Sequence, residues 1–405
     1  MTTRSRTFYA LSSMGVLFSL ALLIGVLKTG GLTTPLLAAP GTRLATAAEM
    51  PGVSCQRQVI PVRLSPDGWL SFDVVGELCS TGALDGQVLQ VLVSGSGYGS
   101  VYWDFPYQPD TYSYSRAALR AGYATFNFYR LGMGESDHPL GLVLGVDNQA
   151  HVLGQIITAL RATHDYSAVL TVGHSFGSVI AIAHGLSHPD QVAGIVLTGF
   201  AHNTNPGFVM AMRTGVDLAA VRGPFVGRIF DPTYIVSKPA TRGSTFYTRA
   251  NTDPRVIETD ELNRQTTAVA EAISASKYFG PQSKDLQVPI FLLLGEDDFL
   301  VCGGELNCHE HALAIAHEQT FFSKAACLEV IVLDDTGHDS ALHLNAAQNF
   351  ALMLNWAARR VGAGDGTAAT DRCNVQMAAT SSIRATTSQL RNARSAPAMG
   401  ATSEK

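Results

Sequence analysis

Three residue types spread along this chain can together make and break an acyl bond. Ser175 lies in Gly173-His174-Ser175-Phe176-Gly177, with a glycine two positions to either side. Small residues at that spacing mark a turn too tight for a Cβ, one that lifts the serine hydroxyl clear of a sheet edge. A serine hydroxyl is a weak nucleophile until a base takes its proton, and an imidazole titrating near neutrality is suited to that task. His338, in Asp334-Asp335-Thr336-Gly337-His338-Asp339-Ser340, can be that base. The base needs a carboxylate on its other ring nitrogen, to fix the tautomer and stabilise the imidazolium. Asp297 and Asp298 are candidates, and Asp334 and Asp335 compete for the role. The oxyanion formed on the attacked carbonyl needs preorganised N–H donors. Phe176, directly after the serine, and Ser96, in Ser94-Gly95-Ser96-Gly97-Tyr98-Gly99, are placed to supply them.

Each of these groups follows an apolar run. "QVLQVLVSG" (87–95) precedes Ser96, "SAVLTVG" precedes Ser175, "VPIFLLLG" (288–295) precedes Asp298 and "LEVIVLDD" precedes His338. Between the runs lie stretches with helical spacing, among them 147–163, the tract near "HEHALAIAHEQ" and a final helix over about 340–360. Nearly continuous apolar strands alternating with helices predict a parallel sheet covered on both faces. In such sheets functional groups gather at the carboxyl ends of the strands. Residues 200–286 break the alternation and read as a mostly helical insertion that folds over Ser175 as a cap. Within it, Phe208, Val209, Met210 and Met212 form an adaptable apolar set suited to a substrate wall, or to packing the cap onto the main domain.

These residues resemble the α/β-hydrolase superfamily over roughly residues 55–360. Ser175, Asp298 and His338 follow that family's order of nucleophile, acid and base, and Gly-x-Ser-x-Gly matches its nucleophile elbow. "GEDD" resembles the family's Gly-x-x-Asp, which implies Asp298 rather than Asp297 as the acid. "DTGHDS" resembles the Gly-His before the last helix, and "YRLGMGESDHP" (129–139) the Arg-x-Gly-x-Gly-x-Ser segment. Ser94-Gly95 stands where the family usually has His-Gly, and Tyr129 where it usually has Asp. The resemblance implies an α/β-hydrolase fold: a mostly parallel central sheet, helices on both faces, and a helical cap. It also disfavours epoxide and haloalkane chemistry, which would place Asp at position 175.

Five further histidines call for no chemistry. His174 reads as packing beside the nucleophile, and His151, His164, His184 and His188 as surface or satisfied core residues. The aromatic cluster over 98–114 reads as loop packing over the sheet, with an apolar substrate wall as the alternative.

At 405 residues, 46% of them hydrophobic, the chain can bury a large core with an inserted lid. With 28 basic against 33 acidic residues and no basic run along the mature chain, nucleic acid is not an expected partner. Arg4 and Arg6 precede an apolar run to Leu27, which reads as an export signal or a retained membrane anchor. Ala45-Thr46-Ala47 fits a small-x-small cleavage site. Six cysteines suit an oxidising compartment. Cys55 and Cys79 flank an expected hairpin that a disulfide can tie. Cys302 and Cys308 close a short loop, leaving Cys327 and Cys373. The other reading of "CGGELNCHEH" is a metal site from Cys302, Cys308, His309 and His311, although its spacing fits no structural zinc pattern.

The expected organisation is a signal peptide or anchor over 1–47, a hydrolase domain over 48–360 and a disordered Ala/Ser/Thr-rich tail over 361–405. The expected function is an exported serine hydrolase that cleaves a small-molecule or lipid-like carboxylic ester through an acyl-serine. It needs neither metal nor organic cofactor. The same triad could instead serve amide, thioester or carbon–carbon hydrolysis or acyl transfer, and a non-catalytic binding protein on this scaffold is the reading from another class.

Overall fold

The computed structural model describes residues 46–203 and 205–371. Its centre is an eight-stranded sheet. The strands are β1 (Ser54–Val62), β2 (Phe72–Ser80), β3 (Val88–Val93), β4 (Ala124–Phe128), β5 (Ala168–His174), β6 (Gly194–Thr198), β10 (Ile290–Gly295) and β11 (Glu329–Leu333). Their spatial order is β1-β2-β4-β3-β5-β6-β10-β11. β2 runs antiparallel to both β1 and β4, and the other pairs are parallel.

The central strands are apolar throughout because both of their faces are covered. Leu89, Val91 and Val93 of β3 pack on one side with Val152, Leu153, Ile156 and Ile157. Those four belong to α3 (Val146–Arg161). Val88 and Leu92, on the alternate positions, pack on the other side with Phe350, Met353 and Trp356. These three belong to α10 (Ala346–Arg360). β10 divides in the same way, with Ile290, Leu292 and Leu294 on the first side and Phe291 and Leu293 on the second. Each such buried side chain stabilises the fold by about 1.5–3 kcal/mol relative to exposure.

The expected hairpin is β1–β2. Cys55 and Cys79 stand opposite each other in its register and form a disulfide. Cys302 and Cys308 form a second one. That bond takes both cysteines out of the ligand set imagined for "CGGELNCHEH". Cys373 lies outside the described residues.

The insertion at 200–286 is not purely helical. It carries α5 (Pro206–Thr214), α6 (Arg242–Thr245), α7 (Pro254–Leu262) and α8 (Val269–Ser274). It also carries a three-stranded antiparallel sheet of β7 (Val216–Leu218), β8 (Tyr234–Ser237) and β9 (Thr267–Ala268). Strands this short leave no alternation to read in a sequence.

The start of the expected tail is also fastened. Tyr123 Oη donates to Gly362 O at 3.0 Å and Val88 N to Gly364 O at 3.2 Å. A Cβ on Gly364 would lie 2.3 Å from the Gly122 carbonyl carbon, so glycine allows this approach where a larger residue would block it. The tail beyond Asp371 lies outside the described residues, as does most of the N-terminal segment. Thr46 and Ala47, at the expected cleavage site, hydrogen-bond Asp104 at 2.5 and 3.0 Å. No helix among the described residues is long and apolar enough to cross a membrane.

Candidate active site

Ser175 joins β5 to α4 (Phe176–Ser187) with φ 54° and ψ −121°. A non-glycine residue held there stores about 1–3 kcal/mol of strain, and its surroundings must enforce it. They do so by crowding. A Cβ on Gly173 would meet Gly177 C and Ser178 Cα at 2.7 Å, and one on Gly177 would meet Val93 O at 2.1 Å. Both motif glycines are therefore required by backbone contact, one across the turn and one against the end of β3. Ser175 N donates to Thr198 O at 2.8 Å, which ties the turn to β6.

His338 and Asp298 come together at the ends of β11 and β10. His338 Nδ1 and Asp298 Oδ2 are 2.7 Å apart, with both side chains buried. The other oxygen, Oδ1, accepts from Leu300 N at 3.0 Å and Val301 N at 3.3 Å, which fixes the carboxylate's orientation. Asp297 is turned elsewhere and accepts from Thr248 Oγ1 at 2.8 Å. Asp334 is exposed. Burial opposes charge on His338, but the Asp298 carboxylate outweighs it, assisted by Asp339, and holds the imidazole pKa above its ordinary 6.5.

Phe176 opens α4, so its N–H has no acceptor within the helix. Ser96 lies just past β3, and a Cβ on Gly95 would sit 2.9 Å from Ser175 Cβ. The loop thus keeps the glycine that matters, although Ser94 replaces the usual His. Arg130 holds this loop from behind, donating through Nε to Ser94 O at 2.9 Å and through Nη2 to Gly95 O at 3.1 Å. Arg130 is itself paired with the buried Glu271 of α8 at 2.6 Å. Arg130 was legible as a motif position, whereas nothing in the spacing pointed to Glu271 as its partner.

Further buried polar groups surround the site. His174, next to Ser175 in the chain, is buried and stacked on Tyr102 at 4.0 Å, and it also hydrogen-bonds Asp339 through Nε2 at 3.0 Å. Burial, with the nearby His338, pushes the His174 pKa well down. Tyr98 donates to Asp339. Arg242 lies over the Tyr98 ring at 3.9 Å and makes two bonds to Asp260, at 2.7 and 2.8 Å.

Ser175, His338, Ser96 and Phe176 all line one cavity, of about 1230 Å³ counted to its open mouth. Its walls are chiefly apolar, including Val179, Phe200, Phe208, Met212, Ile235 and Phe279. Phe208 and Met212 face inward, four residues apart on α5. Val209 and Met210 fall on the exposed face of the same helix, contrary to the apolar wall expected of all four. Of the aromatic cluster only Tyr98 reaches the cavity, while Tyr102, Trp103 and Phe105 are core packing.

A family model described as serine aminopeptidase, S33, matches residues 112–325. The chain belongs to this α/β-hydrolase family. The S33 match spans Ser175 and Asp298 and ends before His338. A Bacillus subtilis protein of known structure superposes with TM-score 0.50 at 14% identity, over 76% of this chain and 94% of that one. An esterase from Thermogutta terrifontis gives TM-score 0.49 at 18% identity, over 74% and 97%. Among characterised proteins, 2-hydroxy-6-oxononadienedioate/2-hydroxy-6-oxononatrienedioate hydrolase of Paraburkholderia phymatum is 24% identical over 223 residues, 55% of this chain and 74% of that protein. This S33-family chain is accordingly a hydrolase on an α/β-hydrolase fold.

Proposed function

We propose that the chain is an exported serine hydrolase of carboxylic esters with a long apolar acyl or alcohol group, acting through a Ser175–His338–Asp298 triad. One observation carries the reading. The buried His338–Asp298 pair and the strained Ser175 turn meet at the same apolar cavity. With Nδ1–H donated to Asp298, the His338 Nε2 lone pair is free to take the Ser175 proton. The alkoxide attacks the ester carbonyl, and the N–H groups of Phe176 and Ser96 receive the oxyanion. His338 then protonates the leaving alcohol and activates water to release the acid.

The cavity's charge supports an ester over the other substrates that the family and its relatives suggest. Among the described lining residues there is no Asp or Glu to hold a peptide's amino terminus. Arg242 is the only Lys or Arg among them, and Asp260 already neutralises it. A dicarboxylate like that of the Paraburkholderia relative would find no free cation there. Two disulfides and the arginine-flanked apolar N-terminus support export. Fractionation of expressing cells tests the location, separating a released protein from an anchored one.

For the chemistry, the purified protein is assayed on p-nitrophenyl esters of increasing acyl length and labelled with a fluorophosphonate. Ser175→Ala should abolish labelling and lower turnover by several orders of magnitude. Undiminished labelling of Ser175→Ala refutes the nucleophile. Labelling without turnover of any ester refutes the substrate class.

A further inference from the structure

Away from the cavity, at the outer ends of β10 and β11, imidazoles and carboxylates converge without a cation among them. Glu296 follows the last residue of β10 and Asp334 the last of β11, and those last residues, Gly295 and Leu333, are register partners in the parallel pair. The two carboxylates therefore leave the sheet side by side. His311 opens α9 (His311–Gln319), and His309 lies two residues earlier, beside the Cys302–Cys308 disulfide that pins its loop. We propose that Glu296, His311 and Asp334 form a divalent transition-metal site of zinc type, with its fourth position open to solvent.

The distances suit an ion. His311 Nε2 lies 3.1 Å from Glu296 Oε2 and 3.5 Å from Asp334 Oδ1, and His309 Nδ1 lies 3.5 Å from the same Glu296 oxygen. A tetrahedral zinc with bonds of about 2.0–2.1 Å sets its ligand atoms about 3.3–3.4 Å apart. The ligand atoms of Glu296, His311 and Asp334 all lie within 4.8 Å of one another. Both imidazoles thus crowd one carboxylate oxygen, which makes Glu296 the hub of the site.

Charge and orientation agree. Among the described residues, His309 and His311, and no lysine or arginine, have side-chain nitrogens within 4.0 Å of the carboxylates of Glu296, Asp297 and Asp334. A set of one imidazole and two carboxylates is a borderline donor set that zinc accepts. The second Glu296 oxygen accepts from Asp335 N at 2.8 Å, an outer bond of the kind that orients metal ligands. Asp334 is exposed and His311 half-buried, so solvent reaches the cluster directly. A bound ion joins the ends of two strands to the start of α9, and its Glu296 ligand lies two residues before Asp298. Its role is to fix that turn, outside the chemical steps.

The experiment uses the untagged full chain, stripped with a chelator and titrated with Zn²⁺ by calorimetry and with Co²⁺ by visible absorption. One equivalent should bind with a Kd in the micromolar range or tighter. Bound Co²⁺ should give an intense tetrahedral d–d band, and Zn²⁺ should raise the thermal midpoint. His311→Ala and Glu296→Gln should each weaken Zn²⁺ binding by at least about 100-fold, beyond the 10- to 100-fold loss typical of outer partners. Their metal-free thermal midpoints serve as the folding control. Absence of saturable Zn²⁺ binding, or binding that survives His311→Ala, overturns the site and leaves the cluster as imidazole–carboxylate hydrogen bonds. Neither result bears on Ser175 labelling.

Discussion

The Arg130–Glu271 pair links the 200–286 insertion to the 94–99 loop, whose Ser96 N–H is a proposed oxyanion donor, and two substitutions separate its two duties. Both side chains are about 1% exposed. Glu271 accepts from Arg130 at 2.6 and 3.4 Å and from Gln149 at 2.8 Å. Glu271→Gln keeps the shape and removes the charge, leaving a buried guanidinium without a counterion. Breaking a buried pair in this way costs about 3–5 kcal/mol. At about 2 °C per kcal/mol for a large domain, the thermal midpoint should fall by roughly 6–10 °C. Arg130→Lys keeps the charge beside Glu271 but lacks the planar fork that reaches Ser94 O and Gly95 O together. The loop bearing the Ser96 N–H then loosens, and misplacement of catalytic groups by about 1 Å costs up to about 100-fold. For this variant we expect kcat on a p-nitrophenyl ester to fall by about 10- to 100-fold while KM stays within about threefold. Circular dichroism on heating and steady-state ester kinetics measure the two effects. A drop of under about 2 °C for Glu271→Gln would show that Arg130 needs no counterion. Full kcat in Arg130→Lys would show that the two carbonyl bonds do not position the loop.

Gly177→Ala places a Cβ 2.1 Å from Val93 O, so the elbow must open, and fluorophosphonate labelling should be lost along with stability. A labelled, stable Gly177→Ala protein would contradict the crowding argument. Met212→Ala enlarges the cavity and should shift acyl preference toward longer chains, whereas Met210→Ala, on the exposed face of α5, should leave the profile unchanged. Equal effects from the two would remove α5 from the specificity argument. His338 serves as base only when neutral, and its pKa is held above 6.5, so kcat/KM should rise with pH through a midpoint above that value. The same shift stabilises the fold fully below pH 6.5, and that contribution fades as pH rises through the folded pKa. Asp298→Asn should move the kinetic midpoint down, and an unmoved midpoint would detach Asp298 from His338.

What the sequence disclosed follows from how locally each requirement is written. The central strands were legible because burial on both faces makes every position apolar, as in the six buried residues of β3 and of β10. The elbow was legible because crowding at Gly173 and Gly177 is relieved only by removing a side chain, which leaves a fixed spacing in the chain. The choice between Asp297 and Asp298 rested on resemblance alone, since adjacent carboxylates look alike until their partners, Thr248 and His338, are in place. Polar pairs between distant segments could not be read at all. Arg130 meets Glu271 across 141 residues, and His174 meets Asp339 across 165. Arg242 and Asp260 are closer, but they lie in an insertion whose strands, of two to four residues, carry no period. The metal-ligand reading of "CGGELNCHEH" failed for a related reason. Four potential ligands within ten residues suggested a local site, but the two cysteines bond each other while the two histidines turn toward Glu296, at least 13 residues back along the chain. Proximity in sequence could not show this, because the register of β10 with β11 decides which carboxylates stand beside the histidines.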